Sequence, residues 1–370
     1  MGGNMDEKLK KVAGKFALQG EPVELIRYGE GHINDTYRVK CVDQEGKTNK
    51  YILQRINTSI FKEPVKLIEN VLNVTKHIRG KIEASGGDVM KETLNLVEAK
   101  DGKYYSVESD GGFYRAYNFI EGARTYQVVE DRQDFYKSGQ ALGRFQKHLS
   151  DFESAALHET IKDFHNTEKR FADFKESLSE DKFRRREECG EEVAFFLKRE
   201  EDTKIINRLV REGKLPVRVT HNDTKYNNVM IDDVTREAIC LLDLDTVMPG
   251  VSLYDFGDSI RSGATTAEED EIDLNKVNFD LGLFEAYTKG YLDTARDFLT
   301  EKEVEFLPFS ARIMTYECGM RFLKDYIDGD IYYKIGYDQH NLDRARNQIK
   351  LVKDMEKNYK RMIEIVRGSI

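Results

Sequence analysis

A chain of 370 residues exceeds one compact core of ordinary size and predicts one large or two unequal domains. Hydrophobic residues make up 39% and aromatics 11%, enough to bury real cores, which excludes wholesale disorder. The net charge of −9, with acids and bases mixed along the chain, argues against nucleic acid as the main partner.

The sharpest basic run, Arg184, Arg185 and Arg186, is followed directly by Glu187 and Glu188 and reads as a solvated helix face. Cys41, Cys189, Cys240 and Cys318 are scattered without metal-like spacing, as expected of a reduced cytoplasmic protein. The N-terminus, Met1 to Lys15, lacks the apolar core of a signal peptide. No stretch approaches the roughly 18 apolar residues of a membrane span, so no membrane partner is expected.

In chain order, Met5, Leu9, Val12, Ala13 and Phe16 predict a helix over residues 5–18, stopped by Gly20. A strand–turn–strand pattern runs from Leu25 through Tyr28-Gly29-Glu30-Gly31 to Tyr37 and Val39. A turn at Glu45-Gly46 leads to a strand from Tyr51 to Ile56. Leu67, Ile68, Val71, Leu72 and Ile78 mark an amphipathic helix, and strands are expected at Tyr104–Val107 and Phe113–Phe119. Ile120-Glu121-Gly122 reads as a connector. Residues 130–214 are mostly charged amphipathic helix, including Phe135–Leu149 and Glu191–Arg211, and a β region at 217–245 precedes further helices. Ala345, Ile349, Val352, Met355, Tyr359, Met362 and Val366 give the last helix a packing face. The expected architecture is α+β: a small antiparallel β-rich lobe over residues 1–121 and a larger, mostly helical lobe over 122–370, with a cleft between them.

The chemistry concentrates in His221-Asn222-Asp223-Thr224-Lys225-Tyr226-Asn227-Asn228, set between short strands, and in the apolar run Ile239–Leu242 that ends in Asp243-Leu244-Asp245. This hairpin-like unit predicts that Asp223, Asn228 and Asp243 meet. Phosphoryl transfer needs an acceptor hydroxyl held in line and metal ions on the phosphate oxygens. Magnesium takes a carboxylate or two plus phosphates and water. Asn228 and Asp243 fit the metal, and Asp223 fits the base that orients the hydroxyl and takes its proton. The spacing from Asp223 to Asp243 is that of a protein-kinase-like catalytic loop and its metal-binding aspartate. The alternative is purely structural, with Asn222 and Asp223 closing a turn and Asp243 ending a strand.

These stretches resemble the aminoglycoside and choline phosphotransferase superfamily, which has a protein-kinase-like fold. A narrower resemblance is to the bacterial N-acetylhexosamine 1-kinases. It rests on Tyr28–Asn34, Gln54–Phe61, Asp243–Gly250, Tyr254–Arg261 and Glu317–Leu323, and extends from about residue 10 to residue 356. It implies an ATP- and magnesium-dependent kinase that phosphorylates the anomeric hydroxyl of N-acetylglucosamine or N-acetylgalactosamine. It also implies Asp223 as base, Asn228 and Asp243 at the metal, and sugar contacts at His32, Asn222, Arg321 and Tyr332. The structural alternative for Arg321 is an ion pair with Asp325, one helical turn on.

Gly29-Glu30-Gly31 is expected to cover the ATP phosphates, and the connector at Phe119, Ile120 and Glu121 to meet the adenine. Where a protein kinase carries a strand lysine, this chain offers Gln54 or Arg55. Only one of two neighbours in a strand can face the nucleotide, and register favours Gln54, with Glu69 as a candidate acidic partner. Gly46-Lys47-Thr48 lacks the glycine a phosphate loop needs five positions earlier, where Cys41 stands, and reads as a hairpin turn. Asp255 and Asp258 are expected to brace the catalytic loop, and Asp245 ranks below Asp243 as a ligand. A choline, homoserine or aminoglycoside acceptor, or a catalytically silent binding module, remain the competing readings.

Overall fold

The computed structural model describes residues 2–29 and 33–370. Gly31 and His32 therefore lie outside the described residues. The chain forms two compact units. One holds the residues up to Ala123 together with Leu157–Thr160, and the other holds Arg124–Ala156 and Ile161–Ile370.

The first unit opens with α1 (Gly2–Ala13), followed by β1 (Glu21–Arg27), β2 (Asp35–Val42), β3 (Thr48–Ile56), α2 (Pro64–Ser85), β4 (Leu96–Val97), β5 (Ser106–Val107) and β6 (Phe113–Asn118); the two-residue β7 (Ala123–Arg124) falls on the division of the chain into units and lies outside this unit's sheet. The antiparallel sheet has the order β1-β2-β3-β6-β4, with β5 also on β6. Its alternation is legible side chain by side chain. Leu25, Val39, Cys41, Tyr51, Leu53, Tyr114 and Ala116 bury one face with Leu9, Val12 and Ala13 of α1. The helix expected over 5–18 ends at Ala13. Phe16 reaches the same core from extended chain, bridging Ala99, while Ala17 N–H donates to Glu98 O at 2.8 Å. A buried aromatic at the right interval mimicked one more helical turn. Pro64 at the first turn of α2 and Gly86 at φ 76° after its end are ordinary punctuation for a helix.

The second unit contains α3 (Arg132–His148), α4 (Thr167–Glu180), α5 (Gly190–Leu197), α6 (Glu200–Thr203), α7 (Ile205–Arg211), β8 (Arg218–Thr220), β9 (Val229–Asp232), β10 (Ala238–Leu241), β11 (Met248–Gly250), α8 (Ser252–Gly263), α9 (Leu281–Ala295), α10 (Glu301–Glu305), α11 (Leu307–Ile327) and α12 (His340–Gly368). The stretch expected as one helix over 191–211 is three short ones, so its charged texture concealed two breaks. The Arg184–Arg186 run is not a helix face either. Arg184 has φ 56°, and Arg185 donates to Tyr326 O at 2.8 Å and pairs with Asp330. α3 and α9 touch backbone to backbone, since a Cβ on Gly290 would overlap the Tyr136 carbonyl. No helix among the described residues is long and apolar enough to cross a membrane.

Candidate active site

β8 feeds a loop that ends in a 3-10 turn at Tyr226–Asn228 and runs directly into β9. The β9–β10 hairpin returns the chain to Asp243, so the loop and the strand end are hydrogen-bonded neighbours: Leu242 N–H donates to Asn228 O at 2.8 Å. Asn228 Nδ2 donates to the Asp223 carbonyl at 2.8 Å and to its Oδ2 at 3.1 Å. His221, fully buried, donates from Nε2 to Leu242 O at 2.7 Å and accepts from Asp223 N–H at Nδ1, 3.3 Å away. One imidazole thus ties the residue before Asp243 to Asp223.

The loop is braced from α8. Asp255, fully buried, accepts from His221 N–H at 3.0 Å, Asn222 N–H at 2.7 Å and Gln146 Nε2 at 2.9 Å. Burial pushes its carboxyl up, and these donors offset only part of that. Asn222 adopts φ 66°, a left-handed conformation that asparagine tolerates better than most residues. Its side chain donates to Thr246 O at 2.9 Å and accepts from Thr220 Oγ1 at 2.9 Å. The side chain expected at the sugar has its polar atoms engaged inside the protein, and its visible work is to hold the turn ahead of Asp223. Asp258 pairs with Arg261, whose Nε lies 3.0 Å from Oδ1.

Lys225, two residues after Asp223, went unassigned in the sequence although it is the one lysine of the loop. Its ammonium lies 3.4 Å from Asp223 Oδ1. Asp223, opposed by burial and joined by Asp258, Glu269 and Asp243, raises the lysine above its ordinary range. In return, burial alone would raise the Asp223 carboxyl, but the charge and hydrogen bond of Lys225 and the charge of Arg261 oppose it, and the group is held below the usual carboxylate range. A carboxylate so held is ionised at neutral pH, as a proton acceptor must be.

Asp243 is exposed, and Asn228 Oδ1 accepts no hydrogen bond among the described residues. Among those residues no group of three or more His, Cys, Asp and Glu side chains converges on one point. Asn228 and Asp243 are of the oxygen-donor types that magnesium takes together with phosphate oxygens and water. Asp245 is buried at 3% exposure.

On α11, Arg321 makes no ion pair with Asp325. Asp325 instead accepts from the backbone N–H groups of Ile331, Tyr332 and Tyr333 at 3.1, 2.8 and 2.9 Å. That seats the tyrosines over Arg321, whose guanidinium carbon lies 6.0 Å from the Tyr332 ring, 5.7 Å from Tyr333 and 5.6 Å from Phe164. Among the described residues its N–H groups meet no hydrogen-bond acceptor. Arg170 stands nearby, lowered by burial and then by the charge of Arg321.

In the first unit the register aligns Thr36, Gln54 and Arg115 in one row across β2, β3 and β6. Arg115, 1% exposed, donates from Nε and Nη2 to Gln54 Oε1 at 3.0 and 2.8 Å, and Gln54 Nε2 donates to Thr36 Oγ1 at 3.0 Å. Arg55 is exposed and points the other way, toward the Tyr114 face. The buried cation of this row is Arg115, which sequence reasoning missed; its parity with Gln54 across paired strands was the available signal. Glu69 faces His158, 2.8 Å away, and is not a partner of this row. Gly29 has φ 75°. Phe119 N–H donates to Lys50 O at 3.2 Å, and its ring meets Tyr28 edge-on at 5.6 Å. Ile120 and Glu121 make no backbone hydrogen bond among the described residues, while the Glu121 carboxylate pairs with Lys50.

Residues 24–298 match the phosphotransferase enzyme family APH, and the chain belongs to that family. An aminopropanol kinase associated with a microcompartment superposes with a TM-score of 0.61 at 14% identity, covering 96% of this chain and 98% of its own. An aminoglycoside phosphotransferase from Alicyclobacillus acidocaldarius gives 0.59 at 13% identity, with 97% and 96% covered. A choline kinase from Streptococcus pneumoniae gives 0.53 at 12% identity, with 96% and 99% covered. The protein is a phosphotransferase with a protein-kinase-like α+β fold.

Proposed function

We propose that the protein transfers the γ-phosphoryl group of ATP to the anomeric hydroxyl of an N-acetylhexosamine, N-acetylglucosamine or N-acetylgalactosamine, giving the sugar 1-phosphate. Asp223 receives the hydroxyl proton, and Lys225 and Asn228 hold its carboxylate in place. Asn228 Oδ1 and Asp243 would hold magnesium, which neutralises the phosphate oxygens when bound with the nucleotide. In the first unit the Gly29 turn and the Gln54–Arg115 row are assigned to the phosphates, and the free backbone groups of Ile120 and Glu121, beside Phe119, to the adenine. Gly31 and His32 keep their sequence-based roles at the phosphates and the sugar.

The observation that carries the acceptor class is the environment of Arg321. An amino-alcohol or aminoglycoside acceptor presents an ammonium group, which needs open aromatic faces or carboxylates. Here Phe164, Tyr332 and Tyr333 already surround a guanidinium, and Arg170 adds a second positive charge. That environment repels an ammonium and suits a neutral acceptor, offering forked donors to hydroxyls and an acetamido carbonyl with an aromatic surface beside them. The names of the structural neighbours favour the amino-alcohol reading, so both classes belong in the test. The test measures ADP release with N-acetylglucosamine, N-acetylgalactosamine, glucose, choline, homoserine, aminopropanol and kanamycin. Turnover with an N-acetylhexosamine and an acid-labile product supports the proposal. Turnover confined to the amines overturns the acceptor and leaves the phosphotransferase.

A further inference from the structure

His165 stands in the segment before α4, buried at 8% exposure, between two parts of the site. Its Nε2 lies 3.0 Å from the backbone carbonyl of Asn222, and its Nδ1 lies 2.8 Å from Glu317 Oε1. The second Glu317 oxygen accepts from Thr167 Oγ1. Glu317 is 1% exposed, and burial alone would raise its carboxyl. The hydrogen bonds of His165 and Thr167 and the charge of Arg321 oppose that, and the group is held below the usual range. A carbonyl only accepts, so Nε2 donates to Asn222 O, while Nδ1 faces the Glu317 carboxyl. The Phe164 ring packs against it at 4.5 Å and the Tyr254 ring at 5.2 Å.

The two ends of this bridge differ in kind. Asn222 is the left-handed residue whose carbonyl opens the peptide bond to Asp223. Its N–H and its side chain are held by Asp255, Thr220 and Thr246, and its carbonyl by His165 alone among the described residues. Glu317 is one turn of α11 from Arg321, whose charge is among those stabilising it. We infer that His165 is a positioning residue that fixes the Asn222–Asp223 peptide and couples it to the α11 face bearing Arg321. Resting on the reading of Asp223 as base, this makes His165 a determinant of turnover that touches neither nucleotide nor acceptor.

The test separates the two ring contacts. In His165→Gln the amide nitrogen replaces Nε2 and keeps the donor to Asn222 O; in His165→Asn it replaces Nδ1 and keeps only the donor to Glu317. Hydrogen exchange of the peptide spanning 219–227 and ADP release with ATP, N-acetylglucosamine and no added acceptor are compared in both variants, beside Asp223→Asn. His165→Asn is expected to speed exchange of that peptide about tenfold. It should also lower kcat about 10²-fold while the KM for ATP stays unchanged. His165→Gln is expected to stay near the parent in both. A merely structural role would instead lower the melting temperature and reduce activity in both variants alike. Equal behaviour of the two variants, or unchanged exchange in His165→Asn, overturns the inference. Because exchange needs no acceptor, it reads the inference even if N-acetylglucosamine is not turned over. If Asp223→Asn keeps its kcat, the base reading fails separately, while the exchange result still decides the role of His165 in the loop.

Discussion

Asn228 Nδ2 reaches both the carbonyl and the carboxylate of Asp223, five residues earlier, at 2.8 and 3.1 Å. One amide therefore orients the Asp223 carboxylate with its nitrogen and turns its oxygen away from it. Asn228→Ala should remove both services, with a fall in kcat of about 10²-fold and a higher magnesium concentration for half-maximal rate. Asp223→Asn should lower kcat by about 10²–10⁴ with little change in nucleotide affinity. Steady-state rates across a magnesium titration read the first, and calorimetric ATP binding beside kcat reads the second. Normal magnesium dependence in Asn228→Ala would detach that residue from the metal.

What was legible in the sequence was local. The contact of Asp223 with Asn228, and the return of the chain beside that loop just before Asp243, follow from a short loop and a hairpin, where chain spacing dictates proximity. The strand parity of β3 likewise separated Gln54 from Arg55. Arg115 was hidden because its role depends on pairing between strands 61 residues apart, which a single strand's pattern does not disclose. Phe16 continued a helical period from outside the helix, and the breaks within 191–211 lay in uniformly charged sequence. Asn222 was assigned to the sugar by the family resemblance, while its engagement by Thr220, Thr246 and Asp255 rests on tertiary contacts that a sequence does not disclose. His165 meets Glu317 across 152 residues and carries no motif at all.

Lys225 controls the charge state of Asp223, and the sign can be worked out. The carboxyl is held below its ordinary range by Lys225 first among the charges that oppose burial. In the parent it therefore stays ionised as pH falls below neutrality, and the acid limb of kcat lies low. Lys225→Met leaves burial less opposed, so the carboxyl rises and the acid limb moves to higher pH, while the plateau rate above it falls. Lys225→Arg should retain most of the low limb. A pH–rate profile of the three proteins decides; an acid limb unmoved in Lys225→Met would mean that another group sets it.

The row Thr36–Gln54–Arg115 gives a test in the first unit. Arg115→Lys keeps the charge but loses the two-pronged contact with Gln54 Oε1. It should raise the KM for ATP about tenfold, equivalent to about 1.4 kcal/mol. Arg55→Ala, on the opposite face, should change that KM less than about twofold. Because Arg115 is 1% exposed, its variant should also lose about 1–3 kcal/mol of stability from the unsatisfied Gln54 acceptor. The KM is therefore compared at a temperature where both variants are folded by circular dichroism. An effect of Arg55→Ala equal to that of Arg115→Lys would remove the row from the nucleotide site.

Asp325 holds the segment that the proposed function assigns to the acceptor. Its two oxygens take three backbone N–H groups from residues 331–333, and Oδ2 also accepts from Asn341 Nδ2 at 3.0 Å. Asp325→Asn replaces one acceptor oxygen by a donor, which opposes the Tyr333 N–H or the pair at Ile331 and Tyr332, according to the orientation of the amide. The expected cost is about 1–3 kcal/mol for backbone groups left unmatched. Loosening this segment frees Tyr332 and Tyr333 from their seats over Arg321, so the acceptor KM should rise several-fold while the KM for ATP stays as in the parent. Tyr332→Ala, which removes a half-exposed ring, should reproduce the KM change with little loss of stability. If Asp325→Asn lowered stability but left the acceptor KM intact, residues 331–333 would serve only the packing of α11 and α12, and the aromatic surroundings of Arg321 would no longer support a sugar acceptor.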